Sequence, residues 1–144
     1  MFGTLIKSYK FVTSALLLFT FFTPWYDQFG GGTLTGFGVI FGQYTFRGMV
    51  LYGAAPVLSI VTMYRILKGK HPGIFYLLSG IPVIYLWLWL NYQDTADYLW
   101  GVFYLGGKLS LFISIIIVIT AFVTPTQIIE FIKNKVGKNA NLKS

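Results

Sequence analysis

Four long apolar runs divide the chain, and their spacing predicts helices over about 4–23, 48–67, 73–91 and 100–123. Each run approaches the roughly 20 residues needed to cross a hydrocarbon core. The runs are continuously apolar rather than alternating, so a lipid-facing barrel does not fit them. Backbone groups in hydrocarbon have no water to bond, and helices satisfy them internally. The first run, Phe11 to Phe22 behind Lys7 and Lys10, has the basic lead of a signal peptide. It continues into Thr23-Pro24-Trp25-Tyr26 with no small-x-small cleavage site, and is read as an uncleaved span. The pattern predicts an all-α integral membrane protein, a four-transmembrane-helix bundle forming one domain over 1–144.

The polar and glycine-rich stretches between the runs predict smaller elements. In the outer loop 24–47, β-formers such as Thr33, Thr35, Val39 and Phe41 alternate with glycines, predicting a short β-like extracytoplasmic segment after the first helix. Within it, Leu34-Thr35-Gly36-Phe37-Gly38 resembles the potassium-channel filter pattern Thr-Val/Ile-Gly-Tyr/Phe-Gly, with the threonine displaced by one residue. Filter carbonyls need rigid support from behind. Only Phe22 to Gly32 precede the match, including Pro24 and consecutive glycines at Gly30, Gly31 and Gly32. No pore helix fits there, which excludes a filter. At the other end of the chain, Thr124-Pro125-Thr126-Gln127 forms a capping box with proline at the first helical position. An amphipathic C-terminal helix over 125–136 follows, with Ile128, Ile129, Phe131, Ile132 and Val136 on its apolar side.

Charge gives the spans a direction. Lys7 and Lys10 precede the first run; Arg65, Lys68 and Lys70 separate the second from the third; Lys133, Lys135, Lys138 and Lys143 follow the fourth. Arg47 and Lys108 alone fall on the other side, so the positive-inside rule predicts that both termini are cytoplasmic. Trp25, Trp87, Trp89 and Trp100 then fall toward the outer leaflet, as an aromatic belt does. Lys133, Lys135 and Lys138 are expected on the membrane surface, each contributing about 1 kcal/mol toward anionic lipid at the cytoplasmic face.

Composition narrows the function classes. The chain is 56% hydrophobic and 10% charged, against about 25% charged for a soluble domain. The formal charge of +7 belongs to the ends of apolar runs rather than to a groove, which argues against nucleic acid. There is no cysteine, which removes thiol chemistry and cysteine metal sites together. His71, the single histidine, lies in Lys68-Gly-Lys-His-Pro72 without neighbouring ligands. No carboxylate falls inside a predicted span, so an acidic proton relay is missing. We expect no enzyme activity, no cofactor and no metal. Pro56 and Pro82 fall inside the second and third helices, where packing accounts for them.

Lys108 is the one charge inside an apolar run, about 8 Å below the outer boundary at 1.5 Å per residue. Snorkelling is the plain reading. Helical spacing also puts Gly106, Ser110 and Ser114 on one small-residue stripe suited to close helix packing. Trp100, Tyr104 and Lys108 recur on the opposite side, with Asp97 joining them if Asp94-Thr-Ala-Asp97 caps an early helix start. Asp97, Trp100, Tyr104 and Lys108 are the expected partner-binding residues. Trp25, Asp27, Arg47 and Asp94 are the expected outer-loop recognition residues. The expectation is a non-catalytic accessory or structural subunit of a bacterial plasma membrane, binding the bilayer and other membrane subunits or a second copy of itself. A small oligomeric transporter or channel, and a lipid- or quinone-binding membrane protein, are the alternatives.

Overall fold

The computed structural model describes residues 2–27, 32–42, 46–93 and 104–122. It is mostly helical: α1 spans Phe2–Thr20, α2 Gly36–Phe41, α3 Phe46–Leu67, α4 Ile74–Gln93 and α5 Leu105–Phe122. Strands β1 (Pro24–Asp27) and β2 (Thr33–Thr35) pair antiparallel between α1 and α2. Two stretches, Gly48–Leu67 and Leu105–Phe122, are long and apolar enough to cross a membrane, and Ile74–Trp89 is a shorter apolar helix.

The long helices close a ring. α1 and α4 each pack on both α3 and α5. Hydrogen bonds set the directions: Tyr9 Oη donates to Thr120 O at one end (3.0 Å), and Tyr104 N donates to Trp25 O at the other (2.8 Å). α1 and α5 are therefore antiparallel. The turn between α3 and α4 uses Gly69 and Gly73 at φ +72° and +62°, a backbone region that costs glycine nothing. Leu17, Phe21, Tyr52, Tyr76, Leu86 and Ile117 are among the side chains that fill the centre. The outward faces carry Val12, Leu16, Val57, Ile60, Ile81, Phe112, Ile116 and Ile119, all exposed.

The region after α1 differs from the extended segment that its β-formers predict. α1 ends in a tightened turn, with Phe21, Phe22 and Thr23 amides bonding the carbonyls three residues back. Pro24 disfavours helical geometry at Thr23, and β1 starts there. The ladder is irregular between Pro24 and Tyr26, around Trp25. Such bulges re-aim a side chain, and Trp25 turns inward to bond Thr20 O through Nε1 at 2.7 Å. Residues 36–41 are helical instead of extended. Thr35 caps this helix, its Oγ1 accepting from Gly38 N at 3.1 Å, so the cap offsets the weak helix propensity of the glycines.

Gly36 explains why the filter-like motif folds this way. A Cβ there would lie 2.7 Å from Phe21 Cα and 2.8 Å from Trp25 Cε2. Only glycine lets α2 sit this close to the end of α1. Phe37 then packs against Phe21 and Phe22 with ring centroids 5.7 and 4.9 Å apart.

Candidate functional site

The first candidate lies along α1 and α5. The buried side of α5 carries Gly106, Gly107, Ser110, Ser114 and Ile117. At Gly106 the two segments touch: an added Cβ would collide with Thr23 Oγ1 and stand 2.5 Å from Pro24 O. Small residues serve here to bring backbones together. Turned away from that contact, Tyr104 is 41% exposed, and Leu105, Leu109 and Phe112 are exposed too. Lys108 is half-buried, one turn beyond Tyr104, and its amide bonds Tyr104 O at 3.1 Å. A groove of about 380 Å³ runs between Phe19, Thr23 and Pro24 on one wall and Tyr104, Leu105 and Leu109 on the other.

The remaining residues expected from sequence are placed unevenly. Tyr104 and Lys108 share one edge of the bundle. Trp25, expected in outer-loop recognition, is 1% exposed and packs tilted against the ring of Phe21, with centroids 5.0 Å apart. Its indole is a core group, and it presents no surface for recognition. Asp27 closes β1 and Arg47 lies in α3, with side chains outside the described residues. Asp94, Asp97, Trp100, Lys133, Lys135 and Lys138 lie wholly outside them. His71 is exposed; its Nδ1 accepts from Gly73 N at 3.0 Å, which leaves the ring proton on Nε2. Among the described residues, no three of His, Cys, Asp and Glu converge.

Sequence reasoning missed a polar cluster at the end of the bundle that holds the α3–α4 turn. Tyr76 is fully buried on α4, and its hydroxyl lies 3.0 Å from Thr13 Oγ1 on α1 and 2.9 Å from Thr120 Oγ1 on α5. Tyr9 meets the Tyr76 ring edge-on, with centroids 6.5 Å apart. Lys10 Nζ stands 5.0 Å from the centre of that ring, and the residue is only 8% exposed. One sequence signal was available. Lys10, Ser14, Leu17 and Phe21 repeat at helical spacing, which puts Lys10 on the same face as residues buried in the core.

Above this cluster the interior carries further hydroxyls. Ser79 and Ser110 donate to carbonyls three residues back in their own helices. Ser14, Ser59, Thr62 and Ser114 are equally buried but make no such bond, and their hydroxyls have no partner among the described residues. A separate apolar groove of about 580 Å³ lies between α2 and α3, lined by Phe37, Phe41, Met49, Gly53 and Val57 among others.

Comparison with known protein families, with curated proteins and with solved structures finds no match for the chain.

Proposed function

We propose that the chain is a four-span plasma-membrane protein with cytoplasmic termini, acting as a non-catalytic accessory subunit that binds other membrane proteins. The groove between α1 and α5, walled by Tyr104, Leu105 and Leu109 with Lys108 one turn along from Tyr104, is the observation that carries this reading. It is the right shape for the side of a partner helix: small residues on its floor, an aromatic ring and aliphatic side chains on its walls. The membrane setting is supported by the distribution of polarity. Hydroxyls such as those of Ser14, Ser79 and Ser110 are inside, while Val12, Val57, Ile81 and Phe112 face out. A soluble protein rarely exposes apolar patches this extensive.

Two measurements test the reading. The chain lacks cysteine, so single cysteines report topology without background. Thr33→Cys is expected to react with an impermeant maleimide in intact cells, and Lys70→Cys only after permeabilisation; the reverse pattern overturns the orientation. Purification in gentle detergent with mass spectrometry is expected to recover a stoichiometric partner. Tyr104→Ala with Lys108→Ala is expected to release that partner and leave the chain resistant to carbonate extraction. Undiminished recovery with the double variant overturns the binding edge.

The unpartnered hydroxyls of Ser14, Ser59, Thr62 and Ser114 favour a second reading, a small oligomeric transporter with a polar interior. Solute flux into liposomes containing only this protein would favour it over the first.

A further inference from the structure

Lys10, Arg65, Lys68 and Lys70 collect at the end of the bundle that holds the α3–α4 turn. Three of these cations rest on aromatic faces. Lys10 Nζ is 5.0 Å from the Tyr76 ring centre, the Arg65 guanidinium 5.1 Å from that of Phe75, and Lys68 Nζ 5.8 Å from that of Tyr64. Phe75 and Tyr76 are consecutive on α4, so Lys10 from α1 and Arg65 from α3 stand at the same height. A ring quadrupole attracts a cation but brings no opposing charge, so these three contacts leave the charge of this end unbalanced among the described residues.

Lys10 differs from its neighbours in being buried, whereas Lys68 and Lys70 are exposed. An ammonium removed from water needs a paired, hydrogen-bonding counter-charge, and a ring face offsets only part of that cost. Among the described residues, the side chain shown against the Lys10 ammonium is the ring of Tyr76, which is not an acid. Asp27, the acidic residue in β1, lies beyond the far end of α1, more than about 15 Å along the helix axis.

We propose that Lys10 binds the phosphate of an anionic phospholipid headgroup in the leaflet at this end of the bundle. The site rests on the membrane reading above. A phosphate supplies the charge that the ring of Tyr76 lacks and accepts the free ammonium protons. A lipid fits better than a free anion because the outward faces of the bundle are apolar, and this end, where Arg65, Lys68 and Lys70 also lie, is where the headgroups of a leaflet around it would stand. Lys10 acts as the specific contact, and Lys68 and Lys70 add a diffuse field that screens with salt.

The test uses the full chain in detergent, incubated with equal amounts of dioleoylphosphatidylglycerol and dioleoylphosphatidylcholine. Native mass spectrometry reads the lipid that stays bound. Wild type is expected to retain the anionic lipid selectively, and Lys10→Arg to do the same. Lys10→Gln is expected to lower that retention about tenfold, as loss of a desolvated charge contact does. Lys70→Gln removes the same charge from an exposed site and is expected to lower it no more than about twofold. Equal losses in Lys10→Gln and Lys70→Gln would overturn the site in favour of diffuse attraction. Displacement of the lipid by excess inorganic phosphate would overturn the lipid assignment.

A second readout covers a Lys10→Gln chain that does not fold. The unfolding midpoint of wild type is expected to rise with phosphatidylglycerol over phosphatidylcholine, and equal midpoints overturn the proposal. Glu130→Gln lowering the midpoint while lipid retention stays unchanged would place the counter-charge within the chain, and also overturns it. Carbonate extraction of wild type separates the two levels. A chain that washes out defeats the membrane reading, while a retained chain without lipid preference defeats this site alone.

Discussion

Replacing Tyr76 by phenylalanine isolates what one hydroxyl contributes where α1, α4 and α5 meet. Its oxygen lies 3.0 Å from Thr13 Oγ1 and 2.9 Å from Thr120 Oγ1. Tyr76 has one proton to give, so one of the two contacts takes a proton from a threonine. Each threonine also has a local alternative: Thr13 Oγ1 is 2.9 Å from Tyr9 O, and Thr120 Oγ1 is 2.6 Å from Ile116 O. Neither becomes an orphaned donor when the tyrosine oxygen is removed. The loss is therefore two interhelical bonds, each about 0.6 kcal/mol in a membrane protein, or about 1.2 kcal/mol together. That is somewhat less than a tenfold change in the folding equilibrium. Tyr76→Ala removes the ring as well and is expected to cost about 3–5 kcal/mol. Reversible unfolding in mixed micelles, followed by far-UV circular dichroism, measures both. Thr13→Val combined with Tyr76→Phe is expected to show a coupling of about 0.6 kcal/mol. A loss above about 3.5 kcal/mol for Tyr76→Phe exceeds the largest values for such bonds and would refute the proton accounting. Zero coupling to both Thr13 and Thr120 would refute the geometry.

The close backbone contacts yield two more expectations. Gly36→Ala sets a methyl 2.7 Å from Phe21 Cα, a backbone atom that cannot rotate aside, and overpacking of this kind costs about 1–3 kcal/mol. An unfolding midpoint equal to wild type would mean that α2 does not dock there. Gly106→Val is expected to push the start of α5 away from Thr23 and Pro24. Hydrogen exchange at the Tyr104 amide, bonded to Trp25 O at 2.8 Å, should quicken by at least about tenfold; an unchanged rate would argue against the contact.

What the sequence reveals here, and what it hides, follows from the range of the interactions involved. Helical periodicity over Leu105–Phe122 put Gly106, Ser110 and Ser114 on one stripe, and the structure buries all three. That stripe is a local property of one helix. The helical turn at 36–41 was hidden because glycines and β-formers give it a poor local preference. Its cap at Thr35 and its contact with Phe21 and Trp25 decide the outcome, and the second of these is tertiary. Trp25 looked like a belt residue because indoles favour the interface, yet an irregularity in the β1–β2 ladder turned it into the core. Lys10 was read as a flanking charge. Its spacing with Ser14, Leu17 and Phe21 marks a buried face, but its partner ring, on Tyr76, is supplied by a helix far along the chain that spacing within α1 cannot name.

The ring of helices has a consequence for biogenesis. Tyr9 waits for Thr120, and the carbonyl of Trp25 waits for the amide of Tyr104. The two ends of the α1–β1 segment are thus stitched to α5, the final helix described, which is made after α1, α3 and α4. Until α5 is made, the earlier helices expose the face that it covers, with the Tyr9 hydroxyl and the Trp25 carbonyl unanswered. Assembly of such long-range contacts comes late. An arrested or truncated product therefore carries its own mark of incompleteness, an uncovered polar and aromatic strip, which quality control can recognise without reading any signal sequence.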